Sequence, residues 1–182
     1  MRRRYHGRGI SPDLIRRILI YGILLLLLSA AESAFFARLY ILPAAPDLIL
    51  GVVVAVSLLD SQKAGAVVGV AGGFLSDAIG SVGISLSPIL YLLVALTVGA
   101  LASKMLSGFS AYALLMLPAL LCRGVFTLGQ SMLLWKHAPW LSVLRLEVLP
   151  ELVCTAIFCL PLYGVVTLCT LPFRSGRNRF LR

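Results

Sequence analysis

Arg123 stands near the middle of an apolar run from Ala111 to Trp135. A charge at the centre of a membrane helix costs at least ~2.5 kcal/mol and persists when it is paired or faces water. Thr127, Gln130 and Ser131 follow at four, seven and eight residues, so one face of this helix is polar. Two carboxylates in other apolar runs are candidate partners, Glu151 in the last run, which is preferred, and Glu32 in the first. The chemistry open to such a group is a structural ion pair or a binding site for a charged solute.

A second pattern is the repeat of Gly65, Gly69 and Gly73 at four-residue spacing, with Asp77 one step further along the same face. Strips of small residues let two membrane helices approach closely. Packing within one bundle is the first reading of this strip, and docking of a separate protein is the second. With six spans Asp47, Asp77, Glu147 and Glu151 gather on the outer side, either as a cation-attracting pocket or, the preferred reading, as acids left at a membrane surface. No HExxH, GxSxG or phosphate-binding loop occurs, and His6 and His137 lie in basic or interfacial stretches. Cys122, Cys154, Cys159 and Cys169 sit inside apolar runs without CxxC spacing, which predicts free thiols. The expectation is a protein without catalytic residues, metal or cofactor.

The elements that position these residues follow from composition. Of 182 residues 60% are hydrophobic and 13% charged, and the mean hydropathy is +1.00. A water-soluble fold cannot cover that much apolar surface. Hydrocarbon offers unpaired backbone groups no partner, so the chain must span as helices or a closed barrel, and runs without alternation are helices. The net charge of +9 is gathered at the chain ends and in short loops, a topology signal and not a nucleic-acid footprint.

Six runs are expected. The first, Ile18 to Phe36, is preceded by Ser11-Pro12-Asp13, a helix-start signal, and its 19 residues come close to the ~30 Å of hydrocarbon. A basic flank, a leucine-rich centre and small residues from Ser29 to Ala31 also fit a secretory signal peptide. Such cores run to ~7–15 residues, so retention of this helix is expected. Leu48 to Leu59 and Ala64 to Ile79 form a hairpin across Asp60-Ser61-Gln62-Lys63, short for a straight crossing. Pro88 to Ala102, Ala111 to Trp135 and Val148 to Leu171 complete the set. With six spans, twelve of the sixteen basic residues share one side, and the opposite loops hold Arg38, Lys136 and Arg145. This predicts a bacterial inner-membrane protein with a basic cytoplasmic segment 1–17, a transmembrane domain 18–171 and a basic cytoplasmic tail 172–182.

Between Ala45 and Leu106 the order of features resembles a known family. Ala45-Pro46-Asp47-Leu48 opens a short span, a basic turn follows at Lys63, then Gly72-Gly73-Phe74-Leu75-Ser76-Asp77, then Gly83 and a long apolar run. This is similar to the rod-shape-determining protein MreD family, over about a third of the chain. The resemblance implies a non-enzymatic component of the bacterial cell-elongation machinery, acting in cell shape and lateral peptidoglycan synthesis. Its implied partners are a bitopic MreC-like protein, the cytoskeletal protein MreB and the elongation polymerase and transpeptidase. It also implies an all-α, six-helix bundle similar to the substrate-binding S components of energy-coupling-factor transporters. Hence there is an alternative, a vitamin-binding transporter subunit, for which Ala30 and Ala34 offer a small-residue strip on the first helix. Such a subunit needs an outer pocket with polar and aromatic groups; the outer loops here are poor in polar residues, which favours the scaffold.

Overall fold

A computed structural model describes residues 12–34, 46–79, 86–102, 108–134 and 140–177. Ser11, His6, Arg38, Gly83, Lys104, Trp135, Lys136, His137 and the side chain of Glu147 lie outside the described residues.

Every regular element among the described residues is helical: α1 (Pro12–Ala34), α2 (Leu48–Leu59), α3 (Gln62–Ile79), α4 (Ser87–Ala102), α5 (Phe109–Leu134), α6 (Trp140–Val143) and α7 (Leu149–Arg177). A π-helical turn, Leu144–Val148, joins α6 to α7.

Helix α2 is the centre of the bundle. It contains no charged residue, and its one polar side chain, Ser57, donates to Val53 O at 2.7 Å. A helix apolar on all sides is stable only when surrounded, and α2 is packed by α1, α3, α4, α5 and α7. Ile49, Leu50 and the stretch from Val52 to Val56 are completely inaccessible.

The hairpin α2–α3 turns on Asp60 and Ser61 alone, since α3 already begins at Gln62, with Ser61 Oγ accepting from Ala64 N at 3.2 Å. Helix α3 packs most extensively against α4, and the glycine strip makes that possible. A Cβ at Gly69 would stand 2.8 Å from Tyr91 O, one at Gly73 2.3 Å from Pro88 Cα, and one at Gly65 1.9 Å from Ser57 Oγ. The strip is therefore filled by α4 and by α2 of this same chain, and is not an open surface for a second protein.

The last apolar segment begins earlier than Val148. From Trp140 the chain is continuously helical, through the π turn that lies just ahead of Pro150.

The exterior is apolar. Leu26 and Leu27 of α1, Leu121 and Val125 of α5, and Ile157 and Leu168 of α7 are all at least 60% exposed. Three helical stretches, Ile15–Ala34, Phe109–Leu133 and Trp140–Thr170, are long and apolar enough to cross a membrane. Exposed apolar surface on that scale needs a hydrocarbon solvent. The fold defines an α-helical membrane protein.

Candidate functional site

Helix α2 has 12 residues and is about 18 Å long at ~1.5 Å per residue, well short of the ~30 Å hydrocarbon thickness. Its N-terminal end is enclosed by the protein, with Asp47 only 6% exposed. The first N–H groups of a helix have no partner inside the helix, and here they are buried. Two carboxylates do so. Asp47 is the N-cap, its Oδ1 accepting from Leu50 N at 3.0 Å, and Glu32, from the last turns of α1, accepts from Leu48 N and, at 3.2 Å, from Ile49 N. Negative charge is also what the positive end of a helix dipole attracts.

The charge at this cap is then countered by Arg123 of α5. Its Nε stands 2.9 Å from Glu151 Oε1 and 3.2 Å from Asp47 Oδ2. Tyr91 of α4 donates its hydroxyl to Asp47 Oδ2 at 2.7 Å, and its ring lies 6.0 Å from the guanidinium carbon. Thr155 of α7 accepts from Asp47 N at 2.9 Å, and Thr127 of α5 donates to Glu151 Oε2 at 3.4 Å. Five elements, α1, α4, α5, α7 and the residues opening α2, thus meet at one helix end. Among the described residues no buried side-chain nitrogen or oxygen lacks a hydrogen-bond partner.

Glu151 is the partner ranked first for Arg123 from sequence, and the two are in contact. Glu32 does not ion-pair with Arg123 directly; it joins the same site through the backbone of α2. Asp47 is the correction. Expected as an acid at the membrane surface, it is 6% exposed and binds Arg123, Tyr91 and the start of α2. The shortness of the uncharged run after Asp47 is visible in the sequence, but not that α1, α4, α5 and α7 enclose its cap. Gln130 and Ser131 are half-buried further along α5, and Asp77 is half-buried near the end of α3. Pro46 is buried ahead of the cap, and Gly72 and Gly73 are buried against α2 and α4.

At the other end of α2 a second polar contact escaped sequence reasoning. Arg17 pairs with Asp60 at 2.5 Å, and Tyr21 donates to the same carboxylate at 3.1 Å. Arg17 and Glu32 are fifteen residues apart, about 22 Å along α1, close to the length of α2. Helix α1 is therefore tied to α2, antiparallel, at both ends.

Glu32→Ala is expected to lower the melting temperature in detergent clearly, since it strands two N–H groups at ~1–3 kcal/mol each. Glu32→Gln keeps an acceptor and is expected to lose much less. Equal losses would mean that the carboxylate charge, not the cap, is what matters.

No family model, curated protein or solved structure matches the chain.

Proposed function

We propose that this chain is a non-enzymatic membrane scaffold of the bacterial cell-elongation machinery, of the MreD kind, which spans the inner membrane six times with both termini in the cytoplasm. The observation that carries the reading is the use made of the intramembrane charges. Asp47, Glu32, Arg123 and Glu151 close the buried end of α2 and hold five elements together, which suits a rigid platform. The residues behind the family resemblance act in the same way: Asp47 is the cap, and Gly72 and Gly73 allow close helix contact. Three helical stretches among the described residues are long enough to cross, whereas Leu48–Leu59 and Ser87–Ala102 are shorter, so the six crossings rest on the pattern of apolar runs and basic residues in the sequence. Arg17 and Lys63 lie at one end of the bundle, around a single groove, in accord with a cytoplasmic basic side.

The test is co-expression of the tagged chain with the MreC-like single-pass protein of the same organism, followed by purification in mild detergent. An equimolar complex is expected. Recovery no greater than with an unrelated multi-span protein would contradict the scaffold.

A further inference from the structure

The Arg17–Asp60 contact sits at the mouth of an apolar groove between α1 and α3, with a volume of about 520 Å³. Gly22 and Leu25 of α1 and Val68 and Ala71 of α3 form its walls. Its rims, Ile18 and Val67, are 58% and 66% exposed, so the groove opens sideways, where the surrounding medium is hydrocarbon. Gly22 makes the room. A Cβ there would meet nothing within 4 Å, in contrast to the glycines of the α3 strip.

The mouth has the opposite character. Arg17, Asp60, Ser61 and Lys63 line it; Arg17 is matched by Asp60, and the exposed Lys63 leaves this set with a positive balance. An apolar slot that ends in positive charge at a membrane surface fits a molecule with a hydrocarbon tail and an anionic head.

Charge and polarity together name the occupant: apolar walls for an acyl chain, and a basic mouth for an anionic head. We propose that this groove binds one anionic glycerophospholipid, with an acyl chain along Gly22 and Val68 and the phosphate held by Lys63. The inference rests on the membrane setting of the fold and is independent of any role in cell elongation.

Native mass spectrometry of the full chain, stripped of lipid in a neutral detergent and titrated with phosphatidylglycerol or phosphatidylcholine of matched acyl chains, tests it. One retained phosphatidylglycerol per chain is expected, with phosphatidylcholine held more weakly and inorganic phosphate unable to compete. Lys63→Gln, an exposed position, should weaken retention about fivefold, the equivalent of the ~1 kcal/mol that a basic residue contributes near an anionic headgroup. Gly22→Leu should remove the adduct while the melting temperature stays unchanged. Equal retention of the two lipids, or a phosphatidylglycerol adduct insensitive to both substitutions, would overturn the proposal. Exclusion of lipid from the groove by a co-purified protein helix would overturn it too.

Discussion

Arg123→Ala is expected to lose about 3–5 kcal/mol of stability, the range for breaking a buried ion pair by removing one partner. The size of the effect comes from what is left behind. Asp47 and Glu151 side chains are 5% and 14% exposed, and without the guanidinium both carboxylates remain inside the bundle with no ion-pair partner among the described residues. Lys63→Ala removes the same charge from an exposed position and is expected to change little. A double replacement, Arg123→Leu with Glu151→Leu, should recover part of the loss. It removes one stranded acid, while Asp47 keeps Tyr91 and Leu50 N as hydrogen-bond donors. Such non-additivity is expected of residues in one network. Thermal melting of matched preparations reads all three. A single variant as stable as Lys63→Ala would mean that Arg123 reaches water and closes nothing.

Gly73→Leu is expected to abolish the folded protein. The added Cβ would lie 2.3 Å from Pro88 Cα and 2.5 Å from Pro88 N, and backbone atoms of a packed helix cannot turn aside as a flexible side chain can. Overpacking in a well-filled core costs typically ~1–3 kcal/mol, and here α3 and α4 would have to separate along their whole contact. Gly69→Leu belongs to the same class, with Tyr91 O at 2.8 Å. On the sequence alone, docking of a partner on the strip would have left such a monomer foldable; with α4 already seated there, the damage falls on the monomer. Gly22→Leu, the same substitution made on α1 in open space, is the control. Fluorescence-detected gel filtration after matched expression should show a monodisperse peak for Gly22→Leu and none for Gly73→Leu. Two monodisperse peaks would mean that α3 and α4 are not packed as described.

The parts of this molecule that were legible in the sequence are those where one physical constraint acts alone. The limits of α2 follow from an uninterrupted apolar run between Asp47 and Asp60. The contact of Arg123 with Glu151 could be anticipated because a charge in mid-membrane is too costly to leave unpaired and few acids lie at that depth. Close packing at Gly65, Gly69 and Gly73 could be read from spacing, but which helices fill the strip could not. Spacing describes one face of α3 and says nothing about what covers it, and both α2 and α4 do so. The role of Asp47 was hidden because a carboxylate at the edge of an apolar run looks the same whether it faces the surface or is enclosed by helices distant in sequence, as it is here by Tyr91 and Arg123. The start of the last helix was obscured by Pro150, which normally breaks a helix and here lies just after the π turn at Leu144–Val148. The Arg17–Asp60 pair joins residues 43 positions apart, and no local pattern links them.

The proposed role, a scaffold whose buried charges serve architecture, is tested most directly by depletion in the organism that carries the chain, with cell shape and small-molecule uptake followed in the same cultures. Rod-shaped cells are expected to become round as the protein is lost, with vitamin uptake unchanged and shape restored by the wild-type chain. Normal shape together with lost uptake of one small molecule would contradict the account and make the chain the binding subunit of a transporter.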